Sequence, residues 1–218
     1  ISKKIIVASS GKIESLDPAR ANTLKAIQLI SSLGDTLYEL NSNGELIPEL
    51  ASGMPIISKD RLKIVINLRK NVFFHDGTSF NSNAIKFTFD RFKRIGTMNY
   101  ILGNKIKSIE TPSEYSVIIN LNKPSSSING LLTSVNLTPI SPTFYQEYSD
   151  KFLNEKFVGT GKYVLSSFSN EVQSIDPNLN YWGEKPLNEG IDFVGYSNSS
   201  SLFGALKSKQ IDVLLSNS

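Results

Sequence analysis

Cysteine is absent from the 218 residues, and histidine occurs once, at position 75. Without cysteine there is no disulfide and no thiol chemistry. A transition-metal site would have one imidazole to build on. The missing cysteine leaves the compartment open, because exported proteins also do without it. No apolar run approaches the ~20 residues that a membrane-spanning helix needs. A basic tract interleaved with aromatics is lacking too: net charge is +3, and the cations are scattered as RLK, LRK and RFKR. That is a poor electrostatic footprint for nucleic acid, so no nucleic-acid partner is expected. The N-terminal ISKKIIVASS is too short and too quickly polar to be a signal peptide. If the native protein is exported, its signal has been removed, and any lipid-anchoring cysteine went with it.

What is present is an alternation of strand-like and helix-like segments, which predicts a mixed α/β chain. KKIIVAS (3–9) reads as a buried first strand, followed by a loop with Asp17-Pro18 as turn initiator. Ala26, Ile30, Leu33 and Leu37 recur at helical spacing between Thr23 and Leu40, with Thr23 as cap and Gly34 as an interruption. NSNGEL (41–46) reads as a hairpin turn. Leu62, Ile64, Ile66 and Leu68 alternate on one strand face. Ile85, Phe89 and Phe92 mark an amphipathic helix from Ser82 to Ile95, with RFKR (91–94) as its solvated face. NKIKSIE (104–110) and EYSVIINL (114–121) predict two strands joined at Thr111-Pro112, and short helices are expected in SSSINGLLTS and after Pro142. From VGTGKYVL (158–165) onward the pattern is strand, turn, strand, helix, strand.

Three stretches invite chemistry. His75-Asp76-Gly77 would serve as a dyad or metal pair only with further ligands or a nucleophile elbow, and neither is in the sequence. An Asp-Gly turn, with Gly77 at positive φ, accounts for it better. VGTGKY lacks the spacing of a phosphate-binding loop. Its glycines suit a chain crossing between subdomains, with or without ligand contact. Tyr181-Trp182-Gly183 reads as buried aromatics under a tight turn, with sugar or cation stacking as the alternative.

Several stretches, taken in order, resemble the family 5 extracellular solute-binding proteins of ABC importers, the peptide- and nickel-binding group. They are LDPARA (16–21), LYELNSNGELIPELASGM (37–54), LKIVINLRKNVFFHDGTSFNSNAIKFTFDRF (62–92), VGTGKYVL, NYWGEKPLNEGIDF and LFGALKSKQIDV. Two positions depart: Ala84 stands where the family usually has an acid early in the helix, and Lys209 where it usually has glycine. Family members are also considerably longer. This chain stops at Ser218, where the family continues into a second lobe, so the sequence is either a fragment or a chain without the second jaw.

The resemblance implies a periplasmic-binding-protein-like α/β fold of the two-lobe clamp type, here the first lobe with an inserted subdomain and the second lobe missing. Residues 1–37 and 159–218 would form the core sheet of that lobe, and residues 38–158 the inserted subdomain. It implies capture of an oligopeptide or similar small solute outside the cytoplasm and its delivery to a membrane ABC permease, without catalysis, cofactor or metal. The location would be periplasmic or otherwise extracytoplasmic, with tethering through a removed lipoprotein signal as one form. Asn22, Thr23 and Leu24 match a loop that contacts ligand in the family, against the alternative that Thr23 simply caps a helix. Tyr100 matches loosely a region where an aromatic approaches the ligand, and Thr160 and Gly161 belong to the crossing at the cleft floor. The exposed half-cleft would favour self-association. Alternatives are a binder of a nickel complex or sugar, a small hydrolase using His75-Asp76, and a fragment acting as an interaction module.

Overall fold

The computed structural model describes residues 4–100 and 102–215. Lys3, where the sequence places the start of the first strand, lies outside that range, as do the other terminal residues of the expected core-sheet segments.

Strand β1 (Ile5–Ser10) is the pivot of a five-stranded sheet. Its alternation sends Val7 into a cluster with Leu29, Ile30, Leu33, Ile175 and Phe193, and sends Ala8 to the opposite face with Leu202, Ala205 and Ile211. Successive side chains of a strand point to opposite faces, so one short apolar run buries itself between two layers. Those layers are helix α1 (Leu24–Leu33) on one side and α6 (Ser199–Lys207) on the other. The sheet order is β11 (Val213–Leu215), β1, β10 (Ile191–Tyr196), β9 (Val172–Pro177), β8 (Tyr163–Phe168). β1 runs parallel to β10 and β11, while β9 is antiparallel to β10 and to β8.

A second core forms in the middle of the chain. There β4 (Ile56–Ile57), β5 (Lys63–Asn67), β7 (Ser116–Leu121) and β6 (Ile106–Ser113) make a four-stranded sheet in that order. Helix α2 (Ser82–Ile95) covers it with Ile85, Phe89 and Phe92, all fully buried against Ile64, Ile66, Val117 and Ile119. A two-stranded ribbon, β2 (Tyr38–Leu40) with β3 (Leu46–Pro48), closes the turn expected at 41–46. The short helices α3 (Ile128–Leu132), α4 (Pro142–Glu147) and α5 (Asp150–Leu153) lead back. Ile140, Tyr145, Leu153 and Phe157 already pack with the five-stranded sheet's cluster.

Three local expectations are corrected. The helix that starts after the Thr23 cap ends at Leu33, not Leu40. Gly34 stands where a Cβ would collide with Thr138 and Phe157, and the chain turns out there to pair as β2. β6 runs through Thr111-Pro112 to Ser113, so the turn lies at Glu114-Tyr115. Pro112 is tolerated because β6 is an edge strand, bulged between Glu110 and Ser113. Arg91 and Phe92 are buried, which leaves Arg94 as the exposed residue of RFKR. Both departures from the family pattern have local explanations. Asn81, not an acid at 84, caps α2 by accepting from Asn83 N at 3.0 Å. Lys209 takes φ +55, a left-handed conformation that glycine adopts without strain.

Candidate functional site

The single histidine sits in a tight hairpin. Gly77 N donates to Phe74 O at 2.9 Å and Phe74 N to Thr78 O at 2.8 Å, so His75, Asp76 and Gly77 form a three-residue loop with Gly77 at φ +83. The His75 and Asp76 side chains serve different partners. Asp76 accepts from Thr78 N and Thr78 Oγ1, and from the buried Ser141 hydroxyl. His75 Nε2 lies 3.1 Å from Gly161 O and must be the protonated nitrogen, since a carbonyl only accepts. His75 N also donates to Gly159 O at 2.9 Å. The pair is a clip that fastens the hairpin to the crossing segment. Burial lowers the imidazole's pKa, so the ring is neutral in the fold, and Nδ1 is left buried without a partner. No cluster of three potential metal-ligating side chains exists among the described residues. Gly77→Val should cost roughly 1–3 kcal/mol, through backbone conformation alone. A Cβ at Gly77 meets nothing within 4 Å, so sterics with neighbours cannot contribute. An unchanged thermal melt would refute this.

The six candidate ligand residues fall at the two ends of α1. Thr23 caps its N-terminus, Oγ1 accepting from Ala26 N at 3.3 Å, with Asn22 and Leu24 exposed on either side. Lys25 Nζ reaches Gly11 O at 3.3 Å, which ties this end of α1 to the carboxyl end of β1. The turn that carries Tyr100, itself 68% exposed, is tied to the same loop by Thr97 N donating to Ala19 O at 2.9 Å. Thr160 and Gly161 lie at the other end, about 15 Å away along a ten-residue helix. Gly161 N donates to Leu33 O at 3.0 Å, and a Cβ at Gly161 would run into the Leu33–Gly34 backbone. Thr160 is 1% exposed and gives its hydroxyl to Asp35 Oδ2 at 2.7 Å. Asn22–Leu24 thus lie at the start of α1, with Tyr100 in a turn tied to the loop before them, whereas Thr160 and Gly161 pack at the end of α1.

Two polar centres that the sequence reading missed hold these ends. The loop between β1 and α1 is pinned by a buried bidentate ion pair: Arg91 Nη1 and Nη2 donate to the two Asp17 carboxylate oxygens at 2.7 and 2.5 Å. Asn136 Nδ2 supports the same loop through Pro18 O and Ala21 O. At the far end, Asp35 accepts from Tyr181 OH at 2.9 Å and Trp182 Nε1 at 2.9 Å as well as from Thr160. Tyr181 and Trp182 thus clamp the end of α1. Glu49 lines a cavity with them, and burial, with Glu39 and Asp35 nearby, pushes its carboxyl up to about 7. Composition carries no signal for either centre. Only the DP and YW dipeptides mark their positions.

In a sheet with parallel strands, ligands collect outside the carboxyl ends of those strands. Here that edge is open. A cavity of about 570 Å³ is lined by Gly11, Lys12, Glu171, Gly195, Tyr196 and Ser197, where β1 and β10 end. That is the edge at which an α/β sheet of this kind has room for a ligand. The family model "Bacterial extracellular solute-binding proteins, family 5 Middle" matches residues 45–218, and the chain belongs to that family. The glutathione-binding protein GsiB of Escherichia coli O6:K15:H31 is 28% identical over 183 residues, 83% of this chain and 35% of GsiB. The chain thus spans about a third of that curated relative's length. The ABC transporter-associated periplasmic binding protein DppA from Helicobacter pylori, in complex with peptide STSA, superposes with TM-score 0.86 at 26% identity, over 98% of this chain and 46% of DppA. NikZ from Campylobacter jejuni, in complex with Ni(L-His), gives TM-score 0.86 at 25% identity, over 97% and 43%. No helix among the described residues is long and apolar enough to cross a membrane.

Proposed function

We propose that this chain is a solute-capturing lobe of the extracytoplasmic binding component of an ABC importer, and that its solute is a peptide or a molecule of peptide size. The observation that carries this reading is the exposed Asn22–Leu24 segment beside the open carboxyl ends of β1 and β10, with Tyr100 tethered to the same loop. A loop so pinned by Asp17–Arg91 presents its backbone in one geometry, which is what recognition of a small ligand requires. The family and the bound molecules of GsiB and DppA point the same way. On this reading the described parts of residues 1–37 and 159–218 supply the core sheet of the lobe and 38–158 the inserted subdomain, whose last stretch, from Ile140 to Phe157, packs back on that sheet. A facing lobe closes by hinge motion and supplies the remaining contacts, and a permease receives the solute. No covalent chemistry is involved. An exposed half-cleft favours self-association, readable as size in solution.

Titration of this chain with the tetrapeptide Ser-Thr-Ser-Ala tests the reading. With one lobe only, the dissociation constant should be weaker than about 100 μM, each tenfold loss being only ~1.4 kcal/mol. Amide shifts should concentrate at Asn22–Leu24 and Tyr100, and His75→Ala should leave the affinity unchanged. Submicromolar binding would mean that one lobe is a complete site. No shift at those residues at millimolar peptide would overturn the binding reading. Cleavage of the peptide, lost in His75→Ala, would establish the hydrolase instead.

A further inference from the structure

Cations that are scattered along the sequence converge at one end of the four-stranded sheet. Lys59 and Arg61 lie in the turn from β4 to β5, and Lys63 opens β5. Lys105 precedes β6, Lys107 is its second residue, and Lys123 follows the end of β7. Side-chain contacts draw these turns together. Arg61 Nη2 donates to Ser125 O at 3.0 Å and Lys105 Nζ to Ser127 Oγ at 2.7 Å, while the two serine hydroxyls lie 3.2 Å apart. Leu121 N donates to Leu62 O and Asn122 N to Lys105 O, which holds the segment carrying Lys123 between the other two. All of these cations except Lys105 are exposed.

Packing asks for none of these charges. The ion pairs of the described residues include none to any of them. Two carboxylates stand near. Asp60 is committed within its own turn to Ser58 Oγ and Leu62 N, and Glu110 accepts from Asn120 Nδ2. Arg61 takes φ +57, a left-handed conformation that glycine or asparagine would adopt at lower cost. Like charges gathered at one edge repel one another unless something of opposite sign faces them. The neighbouring edge strand β4 is apolar and uncovered, with Ile56 62% and Ile57 39% exposed. Ile56 pairs with Val65, so it shares the sheet face of Lys63. The cavities lined by Gly11, Glu49 and His75 take none of these cations into their walls. A broad cationic surface rimmed by aliphatic side chains is what results.

We propose that this end of the inserted subdomain docks on an anionic lipid surface, the extracytoplasmic face of the membrane that holds the permease. A negatively charged leaflet attracts a cluster of lysines and arginines, and an exposed isoleucine enters the boundary between headgroups and acyl chains. Nucleic acid would satisfy the lysines but not Ile56, and the family is extracellular. The docking surface takes its setting from the reading above but uses none of Asn22–Leu24 or Tyr100.

Co-sedimentation with vesicles of phosphatidylglycerol mixed into phosphatidylcholine, against phosphatidylcholine alone, is the test. Saturable binding is expected to the anionic vesicles only, and it should weaken as salt is raised. Lys59→Glu with Lys123→Glu should weaken it at least tenfold, since each cation removed counts for about fivefold. Both side chains are exposed, so the thermal melt should not move. Lys151→Glu with Lys185→Glu has the same net charge and should bind as the wild type does. Ile56→Ser should weaken binding severalfold at unchanged charge. Absence of binding to the anionic vesicles, or equal binding to phosphatidylcholine alone, would overturn the proposal. So would equal loss in the Lys151 and Lys185 control, which would reduce the effect to net charge. A DNA duplex bound more tightly than the vesicles, with vesicle binding untouched by Ile56→Ser, would assign the cations to nucleic acid instead. Vesicle binding is measured without solute, so it can fail while the peptide titration succeeds, and the reverse.

Discussion

Arg91→Ala is expected to destabilise the fold by about 3–5 kcal/mol, the typical cost of removing one partner of a buried ion pair. Asp17 has no exposed side-chain surface and Arg91 has 3%. Without the guanidinium, Asp17 Oδ1 keeps only the Ala19 amide at 3.1 Å. The change also removes the cation from the ring of Tyr145, 5.2 Å away. The attraction within the pair is largely offset by the cost of burying both charges, whereas an orphaned carboxylate bears that cost alone. Asp17→Asn combined with Arg91→Met should therefore lose less than Arg91→Ala by itself. Urea denaturation of the three proteins decides it. A loss below about 1 kcal/mol for Arg91→Ala would place the pair in the class of hydrated surface bridges.

The second large effect is expected at the opposite end of α1. Asp35→Ala leaves three donors, Tyr181 OH, Trp182 Nε1 and Thr160 Oγ1, without their acceptor. Each unsatisfied buried donor costs about 1–3 kcal/mol. With Asp35 itself only half-buried and water able to replace part of the loss, roughly 2–4 kcal/mol is expected in total. Trp182 is the chain's one tryptophan, so its fluorescence should shift to the red as the indole is released into water. Adding Tyr181→Phe to Asp35→Ala should restore part of the stability, because it removes an orphaned hydroxyl, while the same change in the wild type should be destabilising. A stability loss without any change in emission would mean that Trp182 is held by Arg69, whose guanidinium stacks 4.2 Å from its ring, rather than by Asp35.

What the sequence determined by itself is what repeats locally. Ser82–Ile95 is a helix at the expected residues, and Ile64, Ile66, Val117 and Ile119 face inward as their alternation requires. The Asp-Gly dipeptide produced its positive-φ turn at Gly77. Family membership was legible for a related reason, since ordered blocks of such local signals identify a family even where each block alone is weak. Tertiary structure alone decided where polar groups went. Arg91 carries the same charge whether it is solvated or locked onto a carboxylate 74 positions away, so RFKR read as a wet helix face. Helical spacing from Ala26 to Leu37 outlasted the helix itself, because periodicity reports which residues are buried and not which element buries them. The glycines around Thr160 and Gly161 read as a crossing whose backbone comes close to a ligand or to another segment, and the sequence did not say which. The structure shows that what comes close is the backbone at Leu33–Gly34. Lys25 drew no notice in the sequence, as a lysine near a helix start is ordinarily solvated. Its burial against Gly11 and Gly195 exists only once β1, β10 and α1 have been assembled.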